Sequence, residues 1–547
     1  MGSSGAGKTS LLNVLAGFIK NGVTGEINVN GQPRDMQEFK KISTYIMQHD
    51  VLERQLSVLE LMSLVANLRL SSHLYSKTEK MKIVNTILQV MGLQQSLNTR
   101  TECLSGGQTK RLAISLALID NPPIMFLDEP TTGLDNFSAK QCIELLKTLA
   151  NQGRTIICTI HQPSNLLCTS FDQVYFMSEG YCIYNGSLVK MIPFLEDLRF
   201  SCPTFSSPTD YIIEISSDSN NTEILSKAVE NGLLTVKNPV ITKTSIYEKQ
   251  YSFVSIFNRK PNTTKEDFPI SYYTQVGILL KKMFLQMCRN KIALTIQFSH
   301  HIISGLSLGV IFFNTGNDAS QSLATFKFFV SLMVFYLYTY IISPILLFPF
   351  ELEIIKRQYF NRWYSLKAYY TALTLFNIPH LVSFSLIFNV IIYISTGQPL
   401  EAHRFFFFNV VCILTGLTAY GIGITLGSIC SPTVGACAGS TLAAYLIIIT
   451  TYGMGVRNAV PIFAKILMMT AFPRHGVIGL CTATLQGRPL MDCDQLFCFI
   501  RDPEDLLDLM GMKDANIYWT TAALIGFLVL YRIAAFIALK WKLSQEF

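Results

Sequence analysis

The sequence predicts two domains of different fold class: an α/β domain over residues 1–215, followed by an all-α domain over 269–547 that crosses a membrane six times. The first part opens with a glycine-rich phosphate-loop pattern and continues with short apolar strands between helical segments, which is typical of α/β domains that bind nucleotides. The second part consists mainly of long apolar runs, as helices that span a bilayer require.

The composition indicates a chain that is largely membrane protein. Of its 547 residues, 50% are hydrophobic, 15% are charged, and 37 are Phe. The mean hydropathy of +0.34 is high for a globular protein. The net charge is +7, but several basic residues flank apolar runs, and none form a stripe with interleaved aromatic residues. We therefore expect no nucleic-acid partner.

Residues 2–9 fit G-x-x-x-x-G-K-[ST] without a mismatch. In this pattern backbone N–H groups face phosphate, the lysine reaches the terminal phosphates, and the hydroxyl of Thr9 addresses Mg²⁺. A plain glycine-rich turn before a helix is the alternative. The predicted nucleotide-binding residues are Gly2, Ser3, Ser4, Gly5, Ala6, Gly7, Lys8, Thr9 and Ser10.

Three further segments end in polar side chains suited to phosphate chemistry. The strand predicted over 42–47 ends at Gln48, which can reach a metal ion or an attacking water. The buried strand from residue 123 delivers Asp128, which we expect to hold Mg²⁺ through water, and Glu129, which we expect to orient or deprotonate the attacking water. A strand over 155–160 precedes His161, a candidate for contacting the γ-phosphate.

A second anion-binding helix start is predicted after a helical insertion over 56–70 and 76–96. Its residues, which also fit an ordinary capped helix, are Ser105, Gly106, Gly107 and Gln108. Asp135 follows in the sequence Gly-Leu-Asp at 133–135.

The order of these motifs resembles the ATPase domain of ABC transporters. The segments 128–135, 159–164, 202–203 and 208–211 are similar to the G subfamily, in which the ATPase precedes the membrane domain. The segments 33–35, 45–48, 98–101 and 364–370 look closest to its sterol and phospholipid exporters, and carriers of eye-pigment precursors are the next resemblance. The fold class is thus an α/β P-loop ATPase domain followed by an all-α membrane domain.

The resemblance implies ATP and Mg²⁺ as cofactors and a second half-transporter as partner, in a homodimer or a heterodimer. Two ATP molecules would lie between two ATPase domains, each held by one phosphate loop and by the partner's copy of Ser105 to Gln108. The family's strands before the phosphate loop, and the aromatic residue that stacks on adenine, are not seen before Gly2. We expect the chain as written to be N-terminally incomplete and to bind ATP poorly.

The rest of the sequence predicts a polar linker over 216–268 and an amphipathic helix over 271–291 that lies on the inner membrane surface. Kinks are expected at Pro344, Pro349 and Pro379. The charged loop 351–367 is either a coupling element toward the ATPase, as the resemblance favours, or simply solvated. Basic flanks and an even number of spans indicate cytosolic termini. The predicted spans are 292–313, 326–349, 370–396, 405–429, 434–453 and 519–540.

The longest outer loop is predicted over 454–518 and contains Cys481, Cys493 and Cys498. In an oxidising exterior three cysteines allow one disulfide and one spare thiol, and the spare is a candidate for bridging to a partner chain. Members of the resembling family differ in their pairing. Cys493–Cys498 is the first pairing to consider.

We therefore expect an ATP-hydrolysing half-transporter that dimerises and exports a lipid-like substrate, a sterol or phospholipid, across the plasma membrane or a vesicle membrane. The few charges within the spans are compatible with an apolar cargo. Pigment precursors or xenobiotics are the alternative cargo. An ATP-gated channel or regulator is the alternative of another class, although a complete set with Glu129 and His161 favours hydrolysis.

Overall fold

The computed structural model describes residues 1–48, 52–161, 165–203, 207–232, 268–454, 461–493, 498 and 500–546. The chain divides into two compact units. The ATPase unit extends from Met1 to Ile278 and also includes Arg357–Ser365, a short segment between two predicted spans. The membrane unit comprises Leu279–Lys356 and Leu366–Gln545.

The centre of the ATPase unit is a parallel sheet with the order β3-β4-β5. The middle strand reads Ile-Met-Phe-Leu, and its last three residues are buried, as in a parallel strand covered on both faces. The carboxyl ends of all three strands meet at one edge of this sheet. The strands of the unit are β1 (Asn28–Val29), β2 (Gln32–Pro33), β3 (Ser43–Ile46), β4 (Ile124–Leu127), β5 (Thr155–Cys158), β6 (Val174–Ser178) and β7 (Tyr181–Gly186).

Helices flank this sheet, and α1 packs through Leu12 and Ala16 onto Tyr45 and Phe126 of β3 and β4. Two helices confirm the predicted helical insertion, and each begins with a capping box at a serine. The helices are α1 (Lys8–Ala16), α2 (Met36–Ile42), α3 (Val58–Arg69), α4 (Lys77–Val90), α5 (Gly106–Leu118), α6 (Asn136–Asn151), α7 (Asn165–Cys168), α8 (Met191–Asp197), α9 (Pro208–Ile215) and α10 (Ser219–Ala228).

The prediction that the linker begins at residue 216 is wrong. Helix α10 lies within that range, and its Leu225 is fully buried in a cluster with Phe176 and Ile183 of the β6–β7 hairpin. The polar run that suggested a linker contains Asp218, which caps the helix, and the exposed residues of its first turn. The rest of the expected linker, residues 233–267, lies outside the described residues.

Among the described residues of the C-terminal part, six helices are long and apolar enough to cross a membrane, which agrees with the predicted number, and a bent helix pair over 462–485 would make a seventh if it is one span. The helix predicted over 271–291 is α11, and three of its residues, Val276, Leu279 and Met283, form a buried stripe. The helices are α11 (Tyr272–Arg289), α12 (Lys291–Ile311), α13 (Ser322–Phe360), α14 (Leu366–Ser395), α15 (Ala402–Ile429), α16 (Pro432–Thr451), α17 (Ile462–Thr470), α18 (Phe472–Leu485), α19 (Pro503–Leu509) and α20 (Ile517–Glu546).

The segment 351–367 is not a loop over most of its length. Helix α13 continues past Pro344 and Pro349 as far as Phe360, so only 361–365 connect it to α14. The charges that suggested a loop instead support the helix, because Lys356 pairs with Glu353 one turn earlier at 2.8 Å.

The range 454–518 is also more helical than predicted. Helices α17 and α18 meet at an angle of 81°, the geometry of a broken span or a re-entrant loop. Pro473 and Arg474 interrupt the apolar run, which is why the sequence shows no window of about 20 apolar residues there.

The three cysteines of this range have different environments. Cys493 and Cys498 form a disulfide with a Cα–Cα distance of 6.1 Å. Cys481 is a free thiol that is only 2% exposed inside α18. Cys481 is thus the spare thiol, but it is not accessible for a bridge to a partner chain, because α18 packs against α15 and buries it.

Candidate functional site

The phosphate loop leads directly into the N-terminus of α1. Gly5 and Gly7 have φ of 79° and 92°, a left-handed conformation that glycine adopts without strain. A methyl group at Gly2 would collide with the carbonyl oxygen of Met177 in β6, which explains why glycine is required there. Among the described residues no side chain caps α1 at Gly7, so its first N–H groups are available for an anion.

Lys8 lies across its own loop. Its Nζ donates hydrogen bonds to the carbonyl oxygens of Gly2 at 3.0 Å and Ser3 at 2.7 Å. Burial lowers the pKa of Lys8, and the carboxylates of Glu129 and Asp128 act in the opposite direction. The ammonium group is thus held between the loop and the two carboxylates, where a phosphate would meet it.

Asp128 and Thr9 come together at the carboxyl end of β4. The hydroxyl of Thr9 donates to Oδ1 of Asp128 at 3.1 Å, although 119 positions separate the two residues. Oxygen atoms of this type are the ligands that Mg²⁺ prefers, and the Ser/Thr hydroxyl and strand-end Asp pair suits the cation of a bound nucleotide. The residues present therefore fit MgATP.

Thr159 links the carboxylate of Asp128 to the backbone of Glu129 and was missed as a site residue by the sequence analysis. Its Oγ1 donates to Oδ1 of Asp128 at 2.5 Å and accepts from the backbone N–H of Glu129 at 2.9 Å. The signal was present in the sequence, because Thr159 directly follows the adjacent strand β5 and lies two residues before His161.

Glu129 has a left-handed backbone, with φ of 47°, a conformation that non-glycine residues adopt mainly at constrained sites. Its Oε2 accepts hydrogen bonds from Nε2 of Gln48 and from Oγ1 of Thr132, both at 2.8 Å. Gln48 therefore contacts the carboxylate, whereas the sequence suggested a metal ion or water. His161 is half-buried at the end of β5, and residues 162–164 lie outside the described residues.

Ser105 begins α5 with a capping box, in which its Oγ accepts from the N–H of Gln108 and its own N–H donates to Oε1 of Gln108. Ser105 and Gly106 are exposed. A Cβ atom at Gly106 would lie 3.4 Å from the carbonyl oxygen of Gly133, so this turn packs against the Gly-Leu-Asp segment. The structure thus brings the turn Ser105–Gln108, the signature turn, close to the segment that contains Asp135.

Asp135 caps α6, and the hydrogen bonds from the side chain and backbone of Ser138 lower the pKa of its carboxyl group. The hydrogen bonds of the Ser105 and Gln108 side chains run within the capping box and to Ser96. The surface around Ser105 and Asp135 is therefore an exposed helix start whose hydrogen bonds, within the described residues, run to its own caps and to Ser96.

Asn361 inserts its side chain at β3, a contact that the sequence did not predict. Its Nδ2 donates to the carbonyl oxygen of Tyr45 at 3.0 Å, and its Oδ1 accepts from the N–H of Tyr45 at 2.9 Å and from Oγ1 of Thr44 at 3.1 Å. The amide side chain thus pairs with Tyr45 as a neighbouring strand would. Phe360 packs in the same core beside Phe126.

Arg69 connects this insertion to the end of α5. Its Nη1 donates to the carbonyl oxygen of Asn361 at 2.8 Å, and its Nη2 forms a buried ion pair with Asp120. At the other end of α5, Nζ of Lys110 donates to the carbonyl oxygen of Gln48 at 3.1 Å. The segment 357–365, the signature helix and Gln48 are therefore linked by direct contacts within the ATPase unit.

Two family models match the chain. Residues 1–132 match the model described as ABC transporter, and residues 274–484 match the one described as ABC-2 type transporter. The first match includes the phosphate loop, Gln48, the signature turn and both carboxylates.

Relatives align over both domains. ABC transporter G family member 21 of Arabidopsis thaliana is 28% identical over 568 residues, which cover 99% of this chain and 83% of that protein. Protein scarlet of Drosophila melanogaster is 27% identical over 564 residues, covering 100% and 84%. Broad substrate specificity ATP-binding cassette transporter ABCG2 of Sus scrofa is 28% identical over 457 residues, covering 78% and 69%.

Proposed function

This chain is an ABC half-transporter of the G type, with an ATPase domain before an ABC-2 membrane domain, and on this premise we propose that it exports a lipid-like amphipath, a sterol or phospholipid. It is a multi-pass membrane protein whose soluble domain hydrolyses ATP with Mg²⁺, and it exports its substrate across the membrane. The identity of the cargo and of the second half-transporter belongs to the proposal.

The hydrolytic roles follow from the contacts at the strand ends. MgATP supplies the phosphoryl group and the cation when it is bound. Lys8 and the uncapped N-terminus of α1 would hold the phosphates, and Thr9 and Asp128 would hold the cation. Glu129, whose Oε2 is fixed by Gln48 and Thr132, is oriented to accept a proton from water.

The link that Thr159 makes between the Asp128 carboxylate and the backbone N–H of Glu129 is the observation that carries the ATPase part of the proposal. It fixes the ligand of the cation beside the backbone of the residue whose carboxylate accepts a proton. A regulator that only binds ATP does not require this arrangement, so it favours a hydrolysing transporter over an ATP-gated channel.

The exposed helix start at Ser105 supports a dimer. A helix N-terminus binds anions, and this one lies beside Asp135 at the surface. We propose that it covers the ATP bound to the phosphate loop of a second half-transporter, either another copy of this chain or a related one. Association is then linked to nucleotide binding.

The insertion of Asn361 supports coupling between hydrolysis and transport. The segment 357–365 is continuous in the chain with α13 and α14, and within the ATPase unit it contacts β3, three residues before Gln48. We propose that movement of Gln48 during hydrolysis is transmitted through Tyr45 and Asn361 to this segment. The alternative of a merely solvated loop does not explain a side chain that is only 8% exposed.

The lipid-like cargo is supported by the spans. Their most apolar windows have mean hydropathies of 1.3 to 2.3 and at most two charged residues each. Such helices offer an amphipath mostly apolar contacts. Pigment precursors or xenobiotics are the second candidate, because one relative is named for broad substrate specificity and another is Protein scarlet.

The test uses the full-length protein in liposomes and measures both ATP hydrolysis and movement of labelled cargo. Sterols, phospholipids and tryptophan-derived pigments are compared, with ADP in place of ATP as the matched control. We expect a sterol or phospholipid to stimulate hydrolysis and to cross the membrane only with ATP. Stimulation by pigments alone would transfer the proposal to the second cargo, and ion conductance without stimulated hydrolysis would indicate a channel.

A further inference from the structure

Arg532 is a charged residue inside the last span. Both terminal nitrogens, Nη1 and Nη2, are buried and have no hydrogen-bond partner within the described part of the chain. The residue precedes Lys540 by eight positions in α20, so about 12 Å of helix separates the two at 1.5 Å per residue. Charged residues within a membrane span are costly and commonly mark functional sites.

Two more polar atoms without partners lie on α14, the helix that packs against α20 at this level. They are Oγ1 of Thr374, which lies beside the Tyr370 hydroxyl, and Nδ2 of Asn377, and both are buried. The Tyr370 hydroxyl of the same helix donates to the carbonyl oxygen of Arg532 at 2.7 Å, which fixes the two helices against each other here.

Tyr420 of α15 completes the surroundings of the guanidinium group. The Arg532 guanidinium carbon lies 5.4 Å from the centroid of the Tyr420 ring, and Asn377 is also near the Tyr420 hydroxyl. A cation–π contact of this kind stabilises the face of the guanidinium group but does not satisfy the N–H donors at its edge. Those donors point to a ligand that offers acceptors.

Glu351 is the carboxylate that interacts electrostatically with the same Tyr420 hydroxyl. It accepts a hydrogen bond from the Tyr369 hydroxyl at 2.6 Å, and no hydrogen bond joins it to Nη1 or Nη2 of Arg532. Since one negative charge is already nearby, the site suits a ligand with a single negative charge and several oxygen acceptors better than a dianion.

Arg404 is an arginine of the same membrane unit that has a structural role, and its hydrogen bonds can be compared with those of Arg532. Its Nε donates to Glu401 at 2.9 Å, its Nη1 to the carbonyl oxygen of Gln486 at 2.8 Å, and its Nη2 to that of Gly487 at 3.2 Å. The guanidinium group thus ties the end of α18 to the start of α15. Within the described residues, Nη1 and Nη2 of Arg532 make no such bonds, and the Tyr370 hydroxyl beside the guanidinium group offers one oxygen in place of several carbonyl and carboxylate acceptors.

We propose that Arg532, Asn377 and Thr374 form a binding site for the phosphodiester group of a membrane phospholipid. All three present donors, and a guanidinium group binds two phosphate oxygens at once through parallel hydrogen bonds. A phosphodiester carries one negative charge and is attached to acyl chains that the surrounding apolar spans accommodate. The site stands on these donors and not on lipid export, so a bound lipid need not be the transported cargo.

The test measures lipid retention by native mass spectrometry on the purified full-length protein in detergent, without nucleotide. The probes are phosphatidylglycerol, diacylglycerol with the same acyl chains, and inorganic phosphate. Wild-type protein is expected to retain phosphatidylglycerol and to bind neither of the other two. Arg532→Gln is expected to weaken retention by about tenfold or more, because a charge-assisted pair is lost.

Lys540→Gln is the matched control, because it removes the same charge from an exposed position of the same helix. It is expected to leave retention unchanged, and Asn377→Leu is expected to weaken it less than Arg532→Gln. Arg532→Lys keeps the charge but not the paired donors and is expected to be intermediate, which guards against misfolding as the cause. Equal loss in Arg532→Gln and Lys540→Gln, equal binding of diacylglycerol, or displacement by inorganic phosphate would each overturn the site.

Discussion

The catalytic edge of the ATPase unit and the cluster around Arg532 both bury charged groups, but they differ in how those groups are satisfied. At the catalytic edge, Asp128 and Glu129 accept hydrogen bonds from threonine hydroxyls and from Gln48. Around Arg532, the donors Nη1 and Nη2 make no hydrogen bond within the described residues. The first arrangement is organised before its ligand arrives, and the second is completed only by a ligand.

The largest expected effect comes from exchanging the two arginines of the membrane unit for methionine. Arg404→Met should lower the free energy of unfolding by about 2 kcal/mol, because Glu401 and the carbonyl groups at the end of α18 lose their donors. Arg532→Met should be neutral or stabilising, because it removes an unpaired buried charge. Thermal unfolding in phospholipid-free detergent measures both, and equal losses would remove the distinction between the two sites.

The second effect concerns the hydroxyl of Thr159, which links the Asp128 carboxylate to the backbone N–H of Glu129. Thr159→Val should reduce kcat for ATP hydrolysis by about a hundredfold, because the groups for cation and water lose their common anchor. Thr132→Val is the matched control and should cost less, since Gln48 still holds Glu129. If both variants retain the same activity, Thr159 has no special positioning role.

The third effect separates coupling from hydrolysis. Asn361→Leu keeps the size of the side chain and removes its hydrogen bonds to Tyr45 and Thr44, so stimulation of the ATPase by lipid should be lost while basal hydrolysis persists. Lys367→Gln, at an exposed position just beyond the segment, should retain stimulation. Retained stimulation in Asn361→Leu would show that the contact does not transmit the signal.

The smallest effect uses two serines that cap helices in the same way. Ser105→Ala and Ser76→Ala each remove an exposed capping box and should each cost about 1 kcal/mol of stability. Only Ser105→Ala should also weaken ATP-dependent dimerisation, measured by size-exclusion chromatography with light scattering. A similar loss of dimer in Ser76→Ala would mean that helix stability, and not contact with the partner's nucleotide, explains the effect.

Local patterns predicted the parts of the site that depend on short segments. Three parts of the site each consist of a few consecutive residues, so their chemistry can be inferred without the fold. They are the phosphate loop, the strand end with Asp128 and Glu129, and the signature turn. Thr159 and Asn361 were missed as site residues, because their roles depend on partners 31 and 316 positions away. Such pairs become visible only when the sheet is assembled.

The membrane unit shows where local rules failed. Proline and charge suggested a loop over 351–367, yet α13 continues to Phe360, since tertiary context overrides local propensity. The short helices α17 and α18 escaped detection because neither is long enough to span a bilayer alone. Arg532 was detectable as a charge within an apolar run, but its lack of partners was not.

ATP hydrolysis by Glu129→Gln, measured in liposomes with a stimulating lipid, tests most directly whether this carboxylate drives export. The glutamine keeps the shape of the side chain but cannot accept a proton, so kcat should fall by about a hundredfold or more. Binding of ATP and the ATP-dependent dimer should persist, because Lys8, Thr9 and Asp128 are unchanged. Hydrolysis and lipid export close to those of the wild type would contradict the account.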